Sequence, residues 1–484
     1  NICSKICSRF NTKNTKKEQN MAAAGIIIGT VVLFIVGWAI VRGKYAPLVL
    51  FLSGVFMLIC SVALGTGNFM PKQAVATGNA YLNIIEFIRY MFSNRFANLG
   101  LIIMFMVGFA SYMTHIGANH AFVSIATKRF ARIKNPYVMV FVAFAVAKLI
   151  SMVITSAVGL GVLCLALLGP VLISLGLNKL TVSSICAMSG AASMVLIGAS
   201  TAAAAKATQL SILDYVFIYK IPAALPTSIV MGIALVFWNR YLDKKEGWVC
   251  SEHVGEVMEF DGAVQNPETA APKIYAILPF LPMILVVVFS QYCIASIKLD
   301  ISAIIILSVV IAMLFEAVRH RFKFDPIAEG VKVFFQAMGK SLSGVVILII
   351  AAGVFAEGFK ALGMLDSIVK LANSLGFGGF GMSVLFVVIT TLVTIISGSN
   401  GASFYPLIEM VPHIAAKLNV SSVMLVLPMH QASTIARPLS PVAGVVVAIA
   451  GMLKCSPLDI VKRCSVPAVL GLASHHIFVF LLSL

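Results

Sequence analysis

Ser397-Gly398-Ser399-Asn400-Gly401-Ala402-Ser403 interrupts a long apolar run, and the nature of that interruption decides the fold. Glycine costs backbone entropy in a helix, and Ser and Asn compete for backbone hydrogen bonds, so this stretch is poor helix. In hydrocarbon, backbone that leaves the helix must be buried in protein or line a cavity. The stretch therefore reads as a hairpin tip. Glycines permit the turn, while hydroxyls, the Asn400 amide and freed backbone groups could bind a carboxylate or a cation. A helix-packing patch of small residues is the alternative.

Working outward, the surroundings are those of a polytopic membrane protein. Apolar residues make up 60% of the 484 positions, charged residues only 11%, and mean hydropathy is +1.01. Soluble domains carry roughly a quarter charged residues. The net charge of +17 does not indicate a nucleic-acid partner, because the basic residues cluster between apolar runs: Arg42 and Lys44; Lys128, Arg129, Arg132 and Lys134; Arg319, Arg321 and Lys323; Lys462 and Arg463. Cytoplasmic loops look like this. Spanning helices need about 20 apolar residues. Candidates lie near 22–41, 46–65, 98–114, 136–154, 215–238, 274–291, 300–318, 342–360, 382–396 and 465–483. Segments 155–176, 183–208, 397–418 and 421–453 are as long but broken by Gly, Pro, Ser and Asn. They are expected to be re-entrant hairpins or unwound helices.

An internal repeat organises these segments. Ser156-Ala157-Val158-Gly159-Leu160-Gly161 aligns with Ser397–Ala402 at an offset of 241, and Ser211-Ile212-Leu213-Asp214 with Ser456-Pro457-Leu458-Asp459 at 245. Basic residues change sides between equivalent loops, as halves of opposite orientation require. The expected fold is thus all-α, with about ten to twelve spanning segments in two inverted repeats, each holding a re-entrant hairpin and a broken helix. Residues 1–20 read as a non-native or disordered basic tail, 21–238 as the first repeat half, 239–273 as a hydrophilic linker and 274–484 as the second half.

Arg437, in His430-Gln431-Ala432-Ser433-Thr434-Ile435-Ala436-Arg437-Pro438, is the most informative charge. An intramembrane Arg costs about 2.5–3.5 kcal/mol on insertion scales and so pairs with an anion or faces water. A substrate carboxylate could be that partner; snorkelling and pairing with Glu409 are the alternatives. Candidate substrate-binding residues are Ser397, Gly398, Ser399, Asn400, Arg437 and Ser433, with Thr155, Ser156 and Gly159 at the first-half hairpin. Glu409 and Asn400 are candidates for the coupling ion. Lys148 and Lys206 read as snorkelling side chains, and His115 as a helix-end cap. No nucleotide-binding glycine loop, paired zinc histidines or Gly-x-Ser-x-Gly appears, so no enzyme, cofactor or metal is expected.

The runs Thr114–Asn119, Ser156–Leu163, Trp238–Glu246, Tyr275–Phe280, Ala351–Ala356, Ser397–Tyr405, Arg437–Ala448 and Val461–Pro467 resemble the DcuC family of anaerobic C4-dicarboxylate carriers, in order from about residue 25 to 472. The resemblance implies an ion-coupled secondary transporter with inverted repeats in the bacterial inner membrane. Its substrates would be succinate, fumarate or malate, moved by efflux, exchange or uptake. An antiporter or symporter of an amino acid or another organic anion is the alternative. Implied partners are a dicarboxylate, a proton or sodium ion, the lipid bilayer and, as an open option, a second copy in a homodimer. Ser397, Ser399, Asn400 and Arg437 match the family pattern. Residues 187–206 depart from it, lacking the family's Pro and Asp, and Lys148, Lys206 and His430 are unusual for it.

Overall fold

The computed structural model describes residues 21, 23–40, 42, 44–66, 69–71, 73–127, 135–196, 198–250, 271–289, 296–297, 299–374 and 378–483. The tail 1–20, the basic loop 128–134 and most of the linker lie outside the described residues. The rest is helical. Ten helical stretches are long and apolar enough to cross a bilayer, and large apolar side chains such as Phe237, Leu314 and Ile477 face outward.

The first half comprises α1 (Ala23–Ile40), α2 (Ala46–Leu64), α3 (Leu82–Arg95), α4 (Leu101–His115), α5 (Ala118–Thr127), α6 (Pro136–Ser151), α7 (Ala157–Ser174), α8 (Lys179–Ala187), α9 (Ala199–Ala207) and α10 (Ile212–Lys245). The second comprises α11 (Lys273–Val288), α12 (Ile301–Arg319), α13 (Phe324–Ser341), α14 (Ile347–Ala361), α15 (Met364–Ser374), α16 (Gly379–Ser397), α17 (Asn400–Ile408), α18 (Val411–Leu418), α19 (Ser422–Ile435), α20 (Gly444–Leu453) and α21 (Pro457–Ser483). From α3 to α10, each helix has a counterpart that starts 242 to 246 residues later. Even the π-turn joining α3 to α4, Phe96–Gly100, recurs between α13 and α14 as Leu342–Val346.

Local chemistry sets many of these boundaries. Asn135 caps α6, its Oδ1 accepting from the amides of Tyr137 and Val138, with Pro136 at the first helical position where no N–H is needed. Asn178 and Ser421 cap the equivalent helices α8 and α19. Packing between the halves is reciprocal: α2 lies on α14 and α12 on α4, while α7 packs on α20 and α17 on α9. Exchanging the halves maps this set onto itself, as a pseudo-two-fold relation requires. Small residues allow the closest approach, since a Cβ on Gly54 would lie 2.7 Å from the Phe355 amide nitrogen.

Several features differ from the sequence reading. The helices expected to start at 98 and 342 begin at Leu82 and Phe324, because the π-turns let polar and apolar stretches join as single rods. Residues 157–174 form one helix despite Pro170; the break lies before it, at 152–156. Lys148 does not snorkel: it is buried, with its Nζ about 5.1 Å from the centre of the Phe144 ring. Helix α10 runs on to Lys245, through residues read as linker.

Arg463 differs most. Read as a loop charge, it is fully buried within α21 and reaches α10. Its guanidinium donates to Asp243 at 2.5 Å, to Thr181 Oγ1 at 2.9 Å and to the carboxylate of Glu246. The pair ties the last long helix of one half to that of the other. It also removes Arg463 from the charges that mark a membrane face. Removing one partner of such a buried pair leaves an unneutralised charge, at about 3–5 kcal/mol. Arg463→Met is therefore expected to lower the unfolding temperature in detergent sharply. Adding Asp243→Leu should restore most of the loss, as thermal scans of the two variants will show.

Candidate functional site

Helices α16 and α17 form a hairpin around Gly398 and Ser399. Gly398 adopts φ +67, which ends α16 in the left-handed conformation open to glycine. Ser399 then caps α17, its Oγ accepting from the Ala402 amide at 3.3 Å. The hydroxyls of Thr394 and Ser403 meet at 2.7 Å and strap the two arms together. At the first-half turn, Ser156 caps α7 by accepting from the Gly159 amide at 3.2 Å. The two caps are 243 residues apart, so the structural partner of Ser156 is Ser399, two residues beyond the Ser397 that sequence alignment suggested.

Between the broken helices the backbone is unwound twice. Residues 188–198 connect α8 to α9, and 436–443 connect α19 to α20. Side chains from the second half satisfy the first break: Gln431 Nε2 donates to the Ser193 carbonyl at 2.9 Å, and the Ser193 amide donates to Thr434 Oγ1 at 3.4 Å.

Hairpin tips and breaks converge on one cavity of about 350 Å³. Thr155 and Ser156 line it from the first tip, and Ser399, Asn400 and Gly401 from the second. Ser193 and Gly198 enter from the first break and Ser200 from the start of α9, Thr434 from the end of α19 and Arg437 from the second break, with Tyr405 and Leu348 also in the wall. Among the described residues none that lines it is acidic. The N-termini of α7, α9 and α17 all open onto it, each carrying unsatisfied N–H groups and the positive end of a helix dipole. The Arg437 side chain makes no ion pair or hydrogen bond among the described residues, and its Nε is buried without a partner. A half-buried guanidinium and three helix N-termini, with no carboxylate among the described lining residues, make a setting that could hold an anion.

Of the sequence-stated candidates, Thr155, Ser156, Ser399, Asn400 and Arg437 share this lining. The others stand behind it. Ser397 donates to the Val393 carbonyl at 2.6 Å, Gly398 packs on Ala443, Gly159 is the amide held by Ser156, and buried Ser433 donates to the His430 carbonyl at 2.7 Å. Glu409 lies elsewhere. It accepts from Arg95 in a second cavity of about 350 Å³, together with Lys206, Lys360 and His413. Arg95 escaped the sequence reading because its helix was started too late. An Arg directly before the apolar run of the rod that begins at Leu82 was the available signal.

Hairpin tips and helix breaks that meet at one cavity, in halves that pack reciprocally, are the architecture of a membrane carrier. The chain belongs to the DcuC family, described as C4-dicarboxylate anaerobic carrier, which it matches over residues 25–484. It is 38% identical over 454 residues to the "Probable anaerobic C4-dicarboxylate transporter DcuC" of Vibrio cholerae, covering 94% of this chain and 97% of that one. It is also 38% identical over 447 residues to the anaerobic C4-dicarboxylate transporter DcuC of Escherichia coli K12, covering 92% and 94%. The fold is that of the Alcanivorax borkumensis YdaH transporter, whose crystal structure has an unusual topology (TM-score 0.65, 16% identity, 90% of this chain and 98% of that one). The chain is accordingly a multi-pass protein of the bacterial inner membrane.

Gly398 gives a test of the hairpin independent of transport. A Cβ there would lie 2.9 Å from the backbone of Ala443, on a φ that L side chains resist. Gly398→Ala is expected to destabilise the protein by about 2 kcal/mol or more. Gly401→Ala, where a Cβ meets only the Tyr405 ring at 3.3 Å, should be milder. Unfolding temperatures in detergent compare the two.

Proposed function

We propose that this protein carries C4-dicarboxylates such as succinate, fumarate and malate by alternating access. The single observation behind this reading is Arg437, unpaired among the described residues at a cavity that none of their acids lines and on which helix N-termini converge. Two carboxylates cannot leave water without compensating partners. The planar guanidinium can take one through two parallel hydrogen bonds. The amides that open α7, α9 and α17, with the hydroxyls of Ser156, Ser193 and Ser399, can take the other. The names of the relatives, which are C4-dicarboxylate transporters, support the same substrate class.

A path through the protein is also supported. Helices α9, α14 and α17 each contribute residues to both cavities: Ala199 and Ala203, Leu348 and Gly353, Asn400 and Ile408. The cavities thus lie about one to two turns apart along the same three helices. Movement of one half against the other would open the site first to one side and then to the other. The cycle would run as exchange, or as net efflux or uptake balanced by a proton or sodium ion.

Labelled-succinate counterflow in proteoliposomes tests this reading. The wild type should accumulate label against unlabelled internal succinate, with fumarate and malate competing and monocarboxylates not. Arg437→Ala should abolish counterflow. Arg437→Lys, a charge without the fork, should lose roughly tenfold or more, the equivalent of one charge-assisted hydrogen bond. Absence of succinate counterflow in the wild type would sink the dicarboxylate assignment, and normal transport by Arg437→Ala would remove Arg437 from the site.

A further inference from the structure

Behind the first break lies a second cation that the substrate site does not use. Lys220 ends the π-turn Tyr215–Lys220 of α10 and is fully buried. Its Nζ donates to the Val195 carbonyl at 2.7 Å and to Thr201 Oγ1 at 2.8 Å. Thr201 in turn donates to the same carbonyl at 3.3 Å. Val195 lines the substrate cavity, and Thr201 lies in the first turn of α9, whose N-terminus opens onto it. The ammonium therefore grips the unwound segment from the side opposite the substrate. Among the described residues no carboxylate pairs with it.

We propose that Lys220 is a tethered cation that takes the place of a free metal ion at this break, and that the proton it carries is the coupling ion. The proposal rests on the carrier reading above. Carbonyl and hydroxyl oxygens freed at a broken helix are the groups that hold a sodium ion in carriers of this architecture. Here a side chain supplies the charge instead. A buried ammonium without a counter-ion is costly. Negative charge arriving in the cavity offsets that cost, so dicarboxylate binding and protonation of Lys220 favour each other, and by linkage the effect is mutual. When the substrate leaves, the ammonium returns its proton to water and loses its strongest hold on Val195.

The neighbouring titratable groups do not supply the missing anion. On α19, His430 meets the Tyr215 hydroxyl through Nδ1 at 2.9 Å, and on α21 His475 meets Thr227 at 3.1 Å. Lys148 of α6 and Lys206 of α9 add only positive charge. Of the carboxylates on α10 and at its end, Asp214 accepts from Ser211, and Asp243 and Glu246 are taken by Arg463. Asp459 lies near the start of α21.

The test compares the wild type with Lys220→Met and Lys220→Arg, using two readouts. The first is amide hydrogen exchange across 193–201 in purified protein, corrected for the intrinsic effect of pH. The second is succinate uptake into sodium-free proteoliposomes driven by an inward proton gradient. In the wild type, protection of 193–201 should fall as pH rises and increase with succinate. Lys220→Met should exchange this segment roughly tenfold faster or more, as expected for loss of a charged hydrogen bond, and its uptake should ignore the gradient. Lys220→Arg, whose charge cannot be discharged, should keep the segment protected at every pH yet also lose gradient-driven uptake. Wild-type protection and wild-type gradient response in Lys220→Met would overturn the proposal. If the wild type carries no succinate, the carrier reading fails separately, and the exchange readout alone decides whether Lys220 holds the break.

Discussion

A backbone amide or carbonyl in hydrocarbon must find a partner inside the protein, and the architecture follows from how the interruptions meet that demand. At 188–198 the partners come from far away: Gln431 and Thr434 from the other half, and Lys220 from the last helix of the same half. At the hairpin tips they are local, supplied by the serine caps at 156 and 399. Polar groups of both tips and both breaks face one cavity, where a ligand can complete them. The site is thus the residue of a hydrogen-bonding constraint that regular helices satisfy everywhere else.

Three arginines answer the cost of burial in different ways. Arg463 is neutralised by Asp243 and Glu246, and so locks α10 to α21. Arg95 is matched by Glu409 at the second cavity, in a pair that is neither fully buried nor free. The Arg437 side chain has no hydrogen-bond or ion-pair partner among the described residues. Only the last leaves its charge available to an outside anion, and it stands where three helix N-termini converge. Stability and recognition use the same chemistry here, separated by whether the counter-charge belongs to the chain.

Much of this was legible in the sequence because the signals were local. The interruption at Ser397–Ser403, the lone Arg437 and the recurrence of broken segments are properties of short windows, and they pointed to five residues of the cavity lining. What went astray were readings that depended on where a helix ends. Serine spacing aligned Ser156 with Ser397, but capping geometry pairs it with Ser399. Arg463 looked like a loop charge because its partners lie some 220 residues earlier. Glu409 was noticed without Arg95, which is 314 residues away.

The sequence by itself determined that the chain lives in lipid, that it is helical, and that its helices break in matched places, since hydropathy, glycine content and repeat spacing act over short distances. The tertiary structure decided which breaks meet, which charges are answered and which one is left open. Those outcomes depend on contacts between residues hundreds of positions apart, such as the exchange between Ser193 and Gln431. A buried charge has no fixed meaning until its neighbours are known. Packing gave Arg463 its carboxylates and left Arg437 without one among the described residues.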